Sequence, residues 1–427
     1  MRLWLFLRLW SALWHLGLPI VLIYLWKRGR KDPLYRQHLA ERFGRYGRGL
    51  PGSVWIHAVS LGELRSAVPL IRALLDRGET VVTTHFTPAG RREAERVFAF
   101  EIAAGRLVSV WVPLETSWAY AGFFRTFRPK LGLVMEIEIW PRMIFASRRA
   151  GVPLFMCNAQ YPTKSMARDA KLKLRHKLMQ GYAGAFVKSD LQRDRFALVG
   201  VRNITVTGEL RFDQPIPVVQ LQAARALRPL VAARRVVALA SVTQPEEGLF
   251  LDVIARLFAV QDPPLVIVIP RAPERFGLMA DALAARGLTA VTRTSLLDQG
   301  LGLKASGSAH ALRAGTVFLG DSLGEMYFYL ELSDRVVVGG GFQPKGSHNI
   351  IEPLALGKPV IVGPEIHTIE YPAVEAIAAG VCLQTTAEAL ARDIETWPDP
   401  TPRAISAYID AHSGAGARTM AAIAPLL

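Results

Sequence analysis

Residues 54–77 read VWIHAVSLGELRSAVPLIRALLDR. Val54–Val59 is a short apolar run of strand-forming residues, and from Glu63 to Arg77 the apolar positions recur at helical spacing. A strand that turns within a few residues into an amphipathic helix is the repeating unit of parallel α/β sheets. The same alternation extends outward. Strands are expected near Val81–Thr84, Leu107–Val112, Leu131–Met135, Pro153–Met156 and Ala185–Val187, with helical patterns between them. Regularity lapses at Phe212-Asp213-Gln214-Pro215-Ile216-Pro217, a linker signal. It resumes at Val236–Ala240 and continues through Leu265–Ile269, Thr316–Leu319, Val336–Gly339, Pro359–Val362 and Val381–Leu383. Two doubly wound α/β domains follow, with a ligand cleft expected between them.

The length agrees: 427 residues exceed one ordinary core. Half the residues are hydrophobic (51%), which excludes a disordered chain. Cys157 and Cys382 lie far apart in apolar stretches, so buried reduced thiols are expected and a disulfide framework is not. The net charge of +15 calls for an anionic partner or surface. One basic cluster, Lys27, Arg28, Arg30, Lys31, Arg36, Arg42, Arg45 and Arg48, directly follows an apolar N-terminus. A second comprises Lys164, Arg168, Lys171, Lys173, Arg175 and Lys177. Basic residues just beyond an apolar segment favour an anionic membrane surface over nucleic acid.

From Leu3 to Trp26 the chain is almost wholly apolar, with Trp4, Trp10, Trp14 and Trp26 along it and Pro19 interrupting. The 18 residues Leu9–Trp26 sit at the lower limit for crossing a bilayer, and the tryptophans suit an interfacial helix equally. The segment is expected to be a membrane anchor, spanning or lying on the bilayer, with the catalytic body on the cytoplasmic side. The domains are placed at 1–26 (anchor helix), 27–210 and 211–427.

Three stretches carry the chemistry. In His57-Ala58-Val59-Ser60-Leu61-Gly62-Glu63, Glu63 opens a helix at a strand's carboxyl end. It either complements the helix dipole or serves as a general base, and its place at the helix start is expected to lower its pKa. In Met135-Glu136-Ile137-Glu138-Ile139-Trp140-Pro141, two acids at spacing two point the same way if the strand continues. They form either an ion pair with a nearby arginine or part of a site. The longest stretch is Gly339-Gly340-Gly341-Phe342-Gln343-Pro344-Lys345-Gly346-Ser347-His348-Asn349-Ile350-Ile351-Glu352-Pro353. Its glycine-rich loop and following helix are expected to offer backbone N–H groups to phosphate, with Glu352 reaching ribose hydroxyls. Asn349 and Glu352 also have capping-box-like spacing. Arg271, after Pro270, and Asp321-Ser322-Leu323-Gly324-Glu325 stand at comparable strand ends and place a nucleotide in the C-terminal half.

Together these pieces resemble the 3-deoxy-D-manno-octulosonic acid (Kdo) transferases of lipopolysaccharide synthesis. The resemblance includes Glu41-Arg42-Phe43-Gly44, Ser60–Glu63, Met135–Pro141, Arg211-Phe212-Asp213, Pro270–Phe276 and the loop ending at Pro353. It implies a glycosyltransferase B fold of two Rossmann-like domains, CMP-Kdo as donor, a lipid A precursor (lipid IVA) as acceptor, inversion, and no cofactor or metal. It implies the inner-membrane lipid surface as a partner, and no nucleic acid. Glu63 matches the family's general base, and Glu136 the acid supporting the transition state. Arg211 stands where lysine is usual. Pro270 and Arg271, Leu323, Gly324 and Glu325, and Asn349, Ile350, Ile351 and Glu352 match segments that hold CMP. Ser241-Val242-Thr243-Gln244-Pro245, Asn158-Ala159-Gln160-Tyr161-Pro162 and Glu365 depart from the family pattern. The alternatives are another two-domain glycosyltransferase or a sugar-nucleotide epimerase using a UDP-sugar, or a membrane-tethered basic binding protein.

Overall fold

The computed structural model describes residues 3–171, 173–233, 235–305 and 312–427. The chain divides into two compact units, Met1–Gln214 with His412–Leu427, and Pro215–Ala411.

The first unit holds seven strands: β1 (Val54–His57), β2 (Val81–His85), β3 (Leu107–Trp111), β4 (Leu131–Met135), β5 (Leu154–Ala159), β6 (Gly184–Val187) and β7 (Ile204–Val206). All pair in parallel, in the order β3-β2-β1-β4-β5-β6-β7. Side chains of β1 alternate between two cores. Trp55 joins Phe123, Val134 and Met156 on one face, and Val54 and Ile56 join Leu64, Ile71 and Leu133 on the other. Burial on both faces explains why these strands read as unbroken apolar runs. The order reverses at β1, whose neighbours are β2 and β4, so the segments after β1 and β4 flank the crevice where such sheets bind ligands.

The second unit repeats the plan with β8 (Val236–Val242), β9 (Leu265–Pro270), β10 (Ala290–Thr292), β11 (Val317–Leu319), β12 (Arg335–Val338), β13 (Val360–Val362) and β14 (Cys382–Gln384). Its parallel order is β10-β11-β9-β8-β12-β13-β14, which places the reversal between β8 and β12. The strands absent from the sequence expectation, β7 and β10, are three-residue edge strands with little burial, and therefore carry no apolar run to read.

Three expectations change. The N-terminal helix runs Leu3–Lys31, past the expected limit at Trp26, because Lys27–Lys31 are good helix formers apart from Gly29 and suit a helix C-terminus. The unit boundary lies at Gln214/Pro215, so Arg211 belongs to the first unit rather than to a domain beginning at 211. The C-terminal domain also ends before 427. Helix Ala415–Ile423 returns to the first unit, where Ala415 and Ile423 are buried and Asp213 accepts from Gly414 N and Gly416 N, both at 2.6 Å.

The basic clusters are partly spent inside the fold. Arg42 is fully buried over Trp111, and burial pushes its guanidinium down to about 10. Arg168 and Arg175 both pair with Asp169 at 2.9 Å. Cys157 and Cys382 are buried free thiols.

Candidate active site

After β1 the chain turns at Ser60, which caps helix Leu61–Asp76. Ser60 Oγ donates to Glu63 Oε1 and Val59 N donates to Oε2, each at 2.8 Å. Glu63 is only 9% exposed. Burial raises its carboxyl to about 7 against the pull of these two hydrogen bonds, and the charges of Glu136 and Glu138 raise it further. The expected lowering at a helix start is thus overturned: desolvation exceeds the helix-dipole effect. A carboxylate near 7 is a better general base at neutral pH than the ordinary one expected.

Strand β4 stops at Met135, and Glu136 adopts a left-handed conformation (φ 57°). The two acids therefore do not continue an extended strand, and they have different partners. Arg211 Nη2 donates to Glu136 Oε1 at 3.2 Å, whereas Trp140 Nε1 donates to Glu138 Oε2 at 2.7 Å. Arg211 Nε also donates to Ser66 Oγ at 2.9 Å, tying the segment after β7 to the helix that Glu63 opens. Glu63, Glu136 and Arg211 are brought together within the first unit. His57, fully buried with Nδ1 on Thr84 Oγ1, is pushed down to about 3 and stays neutral.

Arg211 is positioned by a group that sequence reading missed. Lys188 Nζ and Glu209 Oε2 form a buried pair at 2.6 Å, and Glu209 Oε1 accepts from Asn158 Nδ2 and Arg211 N. Burial works against the Glu209 charge, but Lys188 and Arg211 hold the carboxyl below its ordinary range. Asn158 sits in a left-handed bulge of β5. These residues come from three separate strand ends, so no local pattern marks them.

In the second unit the glycine loop is already occupied. Glu246, fully buried, accepts from Gly340 N on both oxygens (2.8 and 2.7 Å) and from Phe342 N at 3.0 Å. The N–H groups expected to face phosphate at these two positions instead hold a carboxylate. Thr243 caps the turn after β8, and its N–H and hydroxyl also reach Glu246 (3.3 and 2.6 Å). The glycines serve close backbone approach: a Cβ at Gly363 would lie 2.4 Å from the carbonyl of Gly341.

The remaining nucleotide-site residues divide. Pro270 ends β9, and the exposed Arg271 follows it. Burial lowers the His348 imidazole, and the charges of Arg271 and Lys345 lower it further, which places these three side chains near one another. Lys345 and His348 were passed over because the glycines around them dominate the motif. Leu323 is 71% exposed, and Gly324 accepts from Gln220 Nε2. Glu325 is held bidentate by the buried Arg293, both bonds at 2.7 Å, so its side chain is structural. Asn349 Oδ1 accepts from Ile351 N, closing a local turn; Ile350 and Ile351 are buried in the core. Glu352 stands beside Tyr327, whose hydroxyl is pushed up by burial and then by the Glu352 charge.

Residues 37–214 match the family model described as 3-deoxy-D-manno-octulosonic-acid transferase. A 3-deoxy-D-manno-octulosonic acid transferase of Bordetella pertussis is 36% identical over 95% of this chain and 96% of its own length. One from Haemophilus influenzae is 30% identical over 88% and 87%. Two solved structures share the fold. A glycosyltransferase of Rickettsia africae aligns with a TM-score of 0.56 at 12% identity, covering 89% of this chain and 98% of that one. A UDP-GlcNAc 2-epimerase of Neisseria meningitidis aligns at 0.56 and 14%, covering 87% and 100%. The architecture is that of the glycosyltransferase B type.

Proposed function

The chain belongs to the 3-deoxy-D-manno-octulosonic acid transferase family, and on that premise we propose that it transfers Kdo from CMP-Kdo to a lipid A precursor with inversion at the anomeric carbon. Glu63 carries the proposal. It is a buried carboxylate at the crevice end of β1, with its pKa near 7. It takes the proton of an acceptor hydroxyl as that oxygen bonds to the anomeric carbon of Kdo. The bond from that carbon to the phosphate oxygen breaks, and CMP leaves with the electron pair. Arg211 holds Glu136 in place beside Glu63, where its negative charge favours the positive charge developing on the sugar.

The donor is assigned to the second unit, where Arg271 and Lys345 supply positive charge for the departing phosphate beside the His348 imidazole. This charge takes the place of a metal, so chelation leaves turnover unchanged. The apolar helix Leu3–Lys31 and the basic residues of its last turn support a location on the cytoplasmic face of a bacterial inner membrane.

The test is incubation of purified protein with CMP-Kdo and tetra-acylated lipid IVA, with product masses read directly. Masses heavier by one or more Kdo residues are expected, with no turnover of UDP-sugars. Epimerised or transferred UDP-N-acetylglucosamine, with CMP-Kdo untouched, would overturn the proposal.

A further inference from the structure

The helix Leu3–Lys31 is apolar on both long faces, and the two faces have different surroundings. One lies against the first unit along its length. Near the start, Leu3 and Phe6 pack on the sheet's core, Arg142 Nη2 donates to Leu7 O at 2.6 Å, and Trp10 Nε1 donates to the buried Glu115 at 2.9 Å. Further along, Trp118 Nε1 donates to His15 Nε2 at 3.2 Å. Near the end, Arg36 Nη2 donates to Trp26 O at 3.0 Å, and Leu25 and Gly29 are buried. The opposite face carries Leu5, Leu9, Leu13, Leu16, Ile20 and Ile23 at three- and four-residue spacing, exposed by 41% to 79%.

Leu7 and Trp26 are about 28 Å apart along a helix, close to the full thickness of a bilayer's hydrocarbon. A helix spanning the membrane would draw the surface it is docked on into that hydrocarbon. The Arg142 guanidinium, the Glu115 carboxylate and the Trp118 indole would enter with it, or every bond just described would break. Docking at both ends to one domain is compatible only with a helix parallel to that domain's surface.

We propose that Leu3–Lys31 lies in the plane of the bilayer as a monotopic anchor, its exposed leucine and isoleucine stripe sunk among the acyl chains of an anionic lipid surface. The proposal rests on the membrane location given above. Charge supports lipid as the occupant: no acid occurs from Leu3 to Lys31, and the last turn carries Arg28, Arg30 and Lys31. So does shape. A hollow of about 450 Å³ beside the stripe is lined by Leu22, Ile23 and Trp26 of the helix and by Tyr35, Arg36 and Leu39 after it, and its apolar walls suit part of an acyl chain.

The full chain, bound to vesicles of phosphatidylcholine and phosphatidylglycerol, is labelled with a fluorophore at Leu9→Cys, Leu13→Cys, Leu16→Cys, Ile20→Cys or Ile23→Cys. Quenching by lipids carrying nitroxides at known depths is then read at each position. In-plane docking gives one shallow depth at all five positions, and Leu16→Asp with Ile20→Asp lowers vesicle binding tenfold or more. Depths that descend steadily through the midplane overturn the in-plane arrangement while leaving the membrane location intact. Probes shielded from every lipid quencher on a vesicle-bound dimer also overturn it, since a second copy then covers the stripe. Failure of the unsubstituted chain to bind vesicles overturns the membrane location itself.

Discussion

Glu63 and Glu246 occupy the same local position in the two units. Each stands three residues after a Ser or Thr N-cap, in the turn that follows the first strand of its sheet, and each accepts from that cap residue's hydroxyl. Their further partners differ. Glu63 receives one additional hydrogen bond, from Val59 N, and lies near two other carboxylates. Glu246 receives the N–H groups of Thr243, Gly340 and Phe342, and latches the glycine loop to the turn after β8. A capping-box carboxylate is raised into the range suited to a general base where donors are few and burial is strong. It becomes a structural anion where a distant loop supplies fixed N–H groups.

Glu63→Gln breaks the comparison most severely. Loss of the base is expected to lower kcat by about 10²–10⁴-fold with folding intact. In the unsubstituted enzyme, activity is expected to rise with pH through about 7 as Glu63 loses its proton. Stability runs the other way. The folded chain keeps the Glu63 proton up to about 7, whereas the unfolded chain releases it near the ordinary 4.5. The stabilisation is therefore complete below about 4.5 and is lost as pH rises through 7. At most about 3 kcal/mol is involved, from the size of that shift. The amide introduced by Glu63→Gln can accept from Val59 N and donate to the Ser60 hydroxyl, so the variant escapes this loss. Thermal unfolding should show the variant level with the parent at pH 5 and more stable at pH 8. A variant less stable than the parent at both pH values would show that the carboxylate is not strained by burial.

The same exchange at Glu246 should have the opposite sign. Its oxygens face three backbone N–H groups that cannot reverse, so the NH2 of Glu246→Gln must confront at least one of them. We expect a loss of about 2–4 kcal/mol from the donors left unsatisfied in a buried site, seen as a lower Tm at every pH. KM for the CMP donor should rise with less change in kcat, because the loosened loop carries Lys345 and His348. An unchanged Tm would show that the loop holds its shape without the latch.

This contrast also marks what could be read from the chain alone. The parallel sheets were legible because buried strands such as Leu131–Met135 and Leu265–Ile269 have no polar position to blur them. The turn holding Glu63 was legible too, since strand, cap and helix are contiguous. The role of Glu246 was not: its decisive partners, Gly340 and Phe342, lie far downstream, and Thr243-x-x-Glu246 looks locally like any capping box. The return of Ala415–Ile423 to the first unit escaped for the same reason, being fixed by Asp213 far upstream. Whether the helix start or burial governs Glu63 depends on how much protein covers the turn, and that coverage comes from the tertiary fold.

The smallest expected effect separates charge from shape at Arg211. Its guanidinium bonds Ser66 through Nε and Glu136 through Nη2, a fork that one lysine ammonium cannot reproduce. The pair is partly exposed (27% and 39%), so its loss should alter Tm little. Arg211→Lys keeps the positive charge beside Glu136, and kcat should fall by less than about tenfold, since only one bond of the fork is lost. Arg211→Met removes the charge. The uncompensated Glu136 carboxylate should then move the pH limb of Glu63 upward, because Glu136 already raises it. A pH–rate profile of the two variants tests this directly. If methionine leaves the limb where lysine does, Arg211 acts only by orienting Glu136, and the charge on Glu63 is set by burial alone.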